Sequence, residues 1–175
     1  MSRPPPELSE HLLLQCYADA ERAYPREACG LLSGPSDSAR LTSVQVCEND
    51  QDRLHALDPQ AFPRDGRTAY QLRFSDVQTL VDSLTTASPV KVLYHSHVDV
   101  GADFSTEDRA AALHLGQPLF PVDYLVIDVG AGRVRGAKLF RFCGDDFALA
   151  IEYDEGGRLK RWAGSPRLAT SGQDR

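Results

Sequence analysis

Two histidines and an aspartate between positions 95 and 108 are the residues of this sequence best suited to chemistry. His95 and His97 follow the apolar run VKVLY and lie two positions apart, so in an extended strand both imidazoles point to the same face. Asp108 comes eleven residues after His97, across a glycine-containing loop long enough to turn the chain back. Two nitrogens and one carboxylate oxygen form a three-donor set, which for zinc is typical of a catalytic site with its fourth position left for water. We therefore predict a metal site at these three residues.

Each half of this pattern also has a purely structural interpretation. A His-x-His pair on a strand is more often an ordinary surface or core pair than a pair of ligands. Ser105 and Asp108 match a capping box, in which a serine at the helix N-cap is followed three residues later by an acidic side chain. The two interpretations of Asp108 are compatible, because a carboxylate oriented by its own helix terminus is well placed to bind an ion.

Length and charge limit the classes of protein to which this chain can belong. With 175 residues and 19.2 kDa, the chain can form one domain with a sizeable core. We expect a flexible lead over 1–7, the domain over 8–162 and a loose tail over 163–175. The net charge of −6 and the pI near 5.3 disfavour binding to nucleic acid or to an anionic membrane, since phosphate contacts need clustered Lys and Arg.

The opening residues and the cysteines indicate the cellular compartment. The first ten residues, MSRPPPELSE, lack the apolar segment of a signal peptide, and no run approaches the ~20 apolar residues that span a bilayer. Cys16, Cys29, Cys47 and Cys143 are scattered without a C-x-x-C motif, which favours reduced and mostly buried thiols. We therefore expect a cytoplasmic protein.

Hydrophobic periodicity predicts three helices. The first is expected over about residues 8–24 and ends before Pro25. The second is expected to start with Ser75 as its N-cap, and the third to run over about 106–115 with Gly116 as its C-terminal stop. The predicted apolar face of the second helix contains Val77, Leu80, Val81 and Leu84.

Strand signals fill the remaining segments. ACGLLSG and RLTSVQVCEN predict a hairpin, VKVLYH a central strand, and DYLVIDV and AKLFRF further strands, while alternating apolar residues over 147–153 predict a last hairpin. Residues 50–70 are rich in Asp, Arg, Pro and Gly, so we predict a long irregular connection that borders the site and is mobile without substrate. The order of elements predicts a single-domain α/β sandwich with a mixed sheet.

Two motifs in this order resemble one protein family. The segment PREACGLLSG, followed by HSHVDVGADFSTED, is similar to the pattern of the JAMM (MPN+) zinc metalloproteases. That pattern contains a glutamate on an early strand, a His-x-His pair, and an aspartate with a serine three residues before it. The resemblance covers residues 8–142 and is greatest to the compact prokaryotic members. It implies the MPN/JAMM fold, which is cytidine-deaminase-like. Val98 departs from the family, where proline is common at this position.

The resemblance implies a role for each motif position. His95, His97 and Asp108 would hold Zn²⁺, Glu27 would act as the general base and then deliver the proton to the leaving amine, and Ser105 would hydrogen-bond the oxyanion. The implied activity is that of a peptidase or isopeptidase that cuts after the C-terminal diglycine of a small ubiquitin-like or sulfur-carrier protein, through a narrow groove. No nucleic-acid or membrane partner is implied, and a homodimer is one of the oligomeric states left open.

Two other function classes compete with this interpretation. A non-catalytic MPN-type protein-interaction module would usually lack the ligand residues, all of which this chain retains. A zinc deaminase has a related sandwich but would need a Pro-Cys-x-x-Cys pair, which the sequence does not contain. Cys29 lies two residues from Glu27, yet no independent Cys-His arrangement marks it as a nucleophile, so a small core residue is expected there.

Overall fold

The computed structural model describes residues 4–162, in which a mixed β-sheet is flanked by helices. The predicted loose tail, 163–175, lies outside the described residues, as do residues 1–3. The helices are α1 Glu10–Ala23, α2 Gln51–Leu57, α3 Phe74–Ser83 and α4 Thr106–Ala112. The strands are β1 Cys29–Ser33, β2 Ser43–Cys47, β3 Val90–Val98, β4 Leu113–His114, β5 Gln117–Pro118, β6 Asp123–Gly130, β7 Arg133–Cys143, β8 Asp146–Asp154 and β9 Leu159–Trp162.

Seven strands form the main sheet, in the order β2-β1-β3-β6-β7-β8-β9. Strands β3 and β6 are parallel and the other neighbouring pairs are antiparallel. A parallel pair needs a crossover connection, and α4 with the short β4–β5 hairpin provides it. The predicted α/β architecture with a mixed sheet is therefore confirmed, as are the predicted strands and the final hairpin.

The central strand β3 is buried on both faces and carries different chemistry on each. Val92 and Tyr94 pack in one hydrophobic cluster together with Leu13 of α1. Leu93 packs in a second cluster, and His95 and His97 share its side of the strand, because side chains alternate along an extended chain. Helix α1 covers the first face, while α3 and α4 contribute Leu80 and Ala112 to the second cluster.

Gly30 of β1 makes room for the ring of Tyr94 on the face covered by α1. The two residues are partners in the antiparallel register, and a Cβ at position 30 would lie 2.3 Å from Tyr94 Cε1. The Tyr94 hydroxyl donates a 2.7 Å hydrogen bond to Asp19 Oδ2 of α1. This buried bond ties α1 to the strand that carries the two histidines.

Residues 50–70 contain a helix that the sequence prediction missed. Helix α2 occupies Gln51–Leu57 within the segment that we expected to be irregular throughout. Its first turn is stabilised by a local side-chain acceptor, because the backbone N–H of Gln51 donates to Asn49 Oδ1 at 3.0 Å. The remainder of the connection, up to Arg73, has no long helix or strand.

The boundaries of α3 differ from the prediction. Arg73 occupies the N-cap position without a side-chain capping bond to the helix, and Ser75 lies inside the first turn. Val81 is 46% exposed although it was placed on the apolar face, because the helix contacts the second hydrophobic cluster chiefly through the fully buried Leu80. The prediction of Ser75 as N-cap was therefore wrong, while the helix itself is confirmed.

Helix α4 is shorter than predicted. It ends at Ala112, and the chain turns directly into the β4–β5 hairpin. Leu115 and Gly116 form the turn of this hairpin with φ values of 51° and 75°, so Gly116 serves a strand turn and not a helix end. The predicted start of α4, with Ser105 at the N-cap, is confirmed.

Helix α1 and the lead before it pack against the domain. Ser9 caps α1 by accepting from the backbone N–H of Leu12, and the helix ends before Pro25 as predicted. Pro6 is buried, and the backbone of Glu7 is hydrogen-bonded on both sides, to Ala39 and to Leu41. This part of the expected flexible lead is therefore held in place. Among the described helices, none has the length and apolar character needed to cross a bilayer.

Candidate metal centre

The two histidines are positioned by β3 and point at each other from the same face of the sheet. His95 is completely buried and His97 is 7% exposed. Their Nε2 atoms lie 3.1 Å apart. Strand β6 pairs with both residues, and β1 pairs with His95 through Cys29, so this approach is built into the centre of the sheet.

Asp108 reaches the two imidazoles from the first turn of α4. Its Oδ1 lies 3.3 Å from His95 Nε2, and its Oδ2 lies 3.2 Å from His97 Nε2. The carboxylate also completes a capping box, because Oδ2 accepts from the backbone N–H of Ser105 at 2.9 Å while Ser105 Oγ accepts from the N–H of Asp108 at 3.0 Å. The capping geometry and the approach to the histidines therefore occur together.

The spacing of these three side chains fits one metal ion. Tetrahedral zinc with bonds of ~2.0–2.1 Å places neighbouring donor atoms ~3.3–3.4 Å apart, and the separations of 3.1, 3.2 and 3.3 Å lie close to those values. The donor set of two imidazoles and one carboxylate suits zinc and related first-row metals. His95, His97 and Asp108 could therefore hold a metal ion and leave a further coordination position open.

Electrostatics in the cluster favour the metal-binding protonation states of Asp108 and His95, but not that of His97. Burial would raise the pKa of Asp108, but hydrogen bonds with His95 and His97 outweigh it and hold the pKa well below its ordinary value. Burial lowers the pKa of His95. Burial also opposes charge on His97, but there the neighbouring Asp108 carboxylate outweighs it and the pKa is raised. A deprotonated carboxylate and a neutral His95 are the forms that bind metal ions.

The surroundings of the two imidazoles differ. His97 Nδ1 lies 3.0 Å from the carbonyl oxygen of Gly101, a contact that orients the ring with Nε2 toward Asp108. His95 Nδ1 is buried without a hydrogen-bond partner among the described residues. Its ring is instead held by stacking on Tyr70, with ring centroids 4.4 Å apart and an interplanar angle of 20°.

Glu27 lies just before β1 and faces the same cavity as His97, Asp108 and Ser105. It is 6% exposed, and burial raises its pKa to about 8, with the Asp108 carboxylate acting in the same direction and His97 opposing it. The cavity has a volume of about 310 Å³ and is also bordered by Tyr70. All five residues singled out in the sequence therefore come together, with His95 behind the cavity wall.

Three further residues shape the site without a signal in the sequence. Tyr70 stacks on His95 from the segment after α2. Ser96, between the two histidines, is fully buried and its Oγ accepts the backbone N–H of Ala28 at 2.8 Å, which joins β3 to the residue that follows Glu27. Asn49 donates to the carbonyl oxygen of Glu27 at 3.0 Å. Each of these contacts is made across the fold and not along the chain.

The segment 50–70 borders the cavity, as predicted, since its residues Arg64, Thr68 and Tyr70 line it. Its mobility without substrate stays a prediction, best measured by amide hydrogen exchange. Cys29 lies in the second hydrophobic cluster, where burial raises the pKa of its thiol. Because Cys29 is buried, the expectation of a core residue there is confirmed. A buried neutral thiol is also a poor nucleophile. Val98 ends β3 and displaces none of the candidate ligands.

The four cysteines are free thiols, as expected. Three of them are buried and Cys143 is exposed.

Comparison with known proteins gives one family match. Residues 9–141 match the family model described as prokaryotic homologs of the JAB domain. No curated protein matches the sequence.

Solved structures provide a second comparison. A solution structure of a protein from Desulfitobacterium hafniense is 22% identical with a TM-score of 0.55 over 81% of this chain and 86% of that one. A protein from Salinibacter ruber is 20% identical with a TM-score of 0.49 over the same shares, 81% and 86%. A JAB1/MPN domain protein from Archaeoglobus fulgidus is 15% identical with a TM-score of 0.45 over 87% of this chain and 93% of that one.

Proposed function

This chain belongs to the prokaryotic homologues of the JAB domain, and on that premise we propose that it is a zinc-dependent peptidase or isopeptidase. The proposed reaction is hydrolysis of the amide bond after the C-terminal diglycine of a small ubiquitin-like or sulfur-carrier protein. The observation that carries the proposal is the convergence of the His95, His97 and Asp108 donors on one point, next to a cavity that also contains Glu27 and Ser105.

His95, His97 and Asp108 are the residues that would hold zinc. Bound there, the ion would supply Lewis acidity toward the scissile carbonyl and toward the attacking water. The protein contributes a fixed geometry, because two donors lie on the central strand and the third is locked by its capping box. Removing Ser105 as cap would therefore also loosen the Asp108 donor.

Glu27 is suited to move a proton between water and the leaving amine. Its carboxyl is buried and has a pKa raised to about 8, so it binds a proton readily at neutral pH. A nearby dication would favour the carboxylate form and lower that pKa. A group poised between its two forms can take a proton from the attacking water and later donate it to the amine.

Ser105 has a hydroxyl that could stabilise the oxyanion. Its Oγ–H now donates to Asp108 Oδ2 at 2.7 Å, while its backbone N–H donates to the same oxygen at 2.9 Å. Rotation of the hydroxyl toward a substrate would leave Oδ2 with the backbone donor. The hydroxyl can therefore serve the developing oxyanion without leaving the carboxylate unpaired.

The cavity supports a substrate with little side-chain volume next to the scissile bond. Its 310 Å³ lies at the small end of ligand sites in proteins, which range over roughly 300–1,000 Å³. Tyr70, Leu119 and Phe120 line it with apolar surface. A diglycine segment has no side chains to accommodate, which is consistent with a cavity of this size.

Cleavage of carrier fusions tests the proposal. Zinc-loaded protein should cut a ubiquitin-like carrier after its terminal Gly-Gly when a peptide, a lysine side chain or a single cysteine follows, and mass spectrometry should locate the cut. A chelator should abolish cleavage and added zinc restore it. A matched fusion with Gly-Gly replaced by Ala-Ala should be cut much more slowly.

The outcome also separates the competing function class. A protein that binds zinc and the carrier but cuts none of the three fusions would be an interaction module, and the proposed activity would be wrong. A protein that binds no metal at all would overturn the ligand assignment itself.

A further inference from the structure

Asn49, the only asparagine in the chain, uses all four hydrogen-bonding positions of its side chain. Its Nδ2 donates to the carbonyl oxygens of Glu27 and Ala69, each at 3.0 Å. Its Oδ1 accepts from the backbone N–H groups of Gln51 and Gln71, each at 3.0 Å. One amide therefore connects the end of β2 to three other segments.

The first of these segments carries Glu27. This residue precedes β1 and lies outside the strand ladder, so the sheet does not fix its backbone. Its N–H donates to the carbonyl oxygen of Gly66 at 2.7 Å, and its own carbonyl oxygen accepts from Asn49. The position of the buried Glu27 carboxyl thus depends on the hydrogen bonds to Gly66 and Asn49.

The second segment carries Tyr70. Asn49 contacts the residues on both sides of it, through the carbonyl oxygen of Ala69 and the N–H of Gln71. Tyr70 in turn stacks on His95, one of the three metal donors. The same amide therefore sets the backbone of the carboxyl and the backbone of the ring that packs on a donor.

We propose that Asn49 is a positioning residue of the active site, which holds Glu27 and the Tyr70 segment in one fixed arrangement through its two N–H groups. This inference rests on the proposed peptidase function. Asn49 acts through Glu27, since its side chain hydrogen-bonds none of the three metal donors and does not line the cavity. Its loss should therefore lower the rate of the chemical step while metal binding and substrate affinity persist.

Steady-state kinetics of Asn49→Asp test this role with a diglycine carrier fusion. Aspartate has nearly the same shape and keeps the acceptor for Gln51 and Gln71, but it cannot donate to Glu27 or Ala69. We expect kcat to fall by about 10²-fold, the size of a small misplacement of a catalytic group, with KM and zinc content unchanged. Wild-type kinetics in Asn49→Asp would overturn the inference.

A matched control comes from β2, the strand that precedes Asn49. Gln45 of β2 also carries an amide, but it is exposed and donates to Asp76, away from the cavity. Gln45→Ala should leave kcat and KM unchanged. An equal fall in both variants would show a general effect of weakening β2 and would overturn the specific role of Asn49.

A double-mutant cycle separates positioning from independent catalysis. If Asn49 acts through Glu27, Asn49→Asp should lower kcat by about 10²-fold in the wild type and by less than threefold in a Glu27→Gln background. Equal losses in both backgrounds would overturn the inference, since Asn49 would then act without Glu27.

Nuclear magnetic resonance tests the hydrogen bonds without a variant. Labelling with ¹⁵N-asparagine should give one side-chain NH₂ pair, because the chain has a single asparagine. Both protons should exchange at least tenfold more slowly than those of a free amide, and rapid exchange would overturn the inference even if the variants fail to fold.

Zinc-loaded wild type that cuts no fusion would overturn the proposed function together with this role, whereas active wild type matched by Asn49→Asp would overturn the role alone.

Discussion

The two faces of β3 carry two polar clusters that differ in how their groups are satisfied. On the face covered by α1, Tyr94 donates to Asp19 at 2.7 Å and Arg22 donates to the same carboxylate at 2.5 Å. On the other face, His95, His97 and Asp108 direct their donor atoms at one another across 3.1 to 3.3 Å. The first cluster pairs hydrogen-bond donors with acceptors, while in the second two imidazole nitrogens and a carboxylate converge on one point.

This difference separates a structural cluster from a ligand site. A buried hydroxyl and a carboxylate complete each other, so nothing further is needed for stability. Three lone-pair donors at the edge lengths of a tetrahedron are better satisfied by a cation than by each other. Burial alone does not distinguish the clusters, because Asp19 is 5% exposed and His97 is 7% exposed.

The largest effect expected from this comparison is loss of the metal. His97→Ala or Asp108→Ala should reduce zinc content from about one per chain to near zero after dialysis, and activity should be lost with it, since an open three-ligand site cannot spare a donor. Elemental analysis of purified protein measures this. Full zinc occupancy in both variants would contradict the ligand assignment.

Asp108→Asn is the matched control for folding. Asparagine can still accept from the N–H of Ser105, whereas Asp108→Ala loses this half of the capping box, which should itself cost about 1 kcal/mol of stability. The amide is a poor metal donor, so zinc should be lost from a protein that remains as stable as the metal-free wild type.

The second effect concerns chemistry without metal loss. Glu27→Gln should retain the fold and the zinc, because the amide is nearly isosteric and the residue is not among the three donors. It cannot carry a proton, so cleavage should fall by the ~10²–10⁴-fold typical of losing general acid–base catalysis. Kinetics paired with zinc analysis check this. If the variant is stripped of zinc, Glu27 is a ligand and the role assigned to it is wrong.

The third effect is a pH dependence of stability in the metal-free protein. Burial raises the pKa of Glu27 to about 8, above its value in the unfolded chain, so the folded state binds this proton more tightly. The stability that Glu27 contributes is then greatest below its pKa in the unfolded chain and falls as the pH rises to about 8. We expect the wild type to lose roughly 2–4 kcal/mol more than Glu27→Gln between pH 5 and pH 8.

Urea unfolding of both proteins at each pH measures that difference. Added zinc should shrink it, because a nearby cation favours the carboxylate. Parallel pH profiles for the wild type and Glu27→Gln would show that Glu27 does not titrate differently in the folded state.

The smallest effect belongs to the structural cluster. Tyr94→Phe removes the hydroxyl that bonds Asp19, and Arg22 still pairs with the carboxylate. Unfolding should become easier by about 1–2 kcal/mol, with zinc content and kcat unchanged. A loss of zinc in Tyr94→Phe would mean that the two faces of β3 are coupled and would break the comparison on which these predictions rest.

Much of the site is encoded locally and could be predicted. Alternation along β3 puts His95 and His97 on one face, and the capping box fixes Asp108 relative to its own helix, so short-range geometry defines most of each donor's orientation. The strands were likewise predictable, because a buried strand needs an uninterrupted apolar run. The helix boundaries were less predictable, because α3 follows an N-cap Arg73 that makes no capping bond and α4 gives way to a hairpin.

The tertiary structure decided what the sequence by itself did not contain. Asn49, whose side chain bonds segments 20 and 22 residues away, sits where Glu27 and the Tyr70 connection meet. Ser96 joins β3 to Ala28 across 68 residues. Contacts of this kind arise from the pairing of distant strands and leave no periodicity along the chain. The sequence alone determined which residues could bind a metal; the fold brought the buried carboxyl, the stacked ring and the asparagine to them.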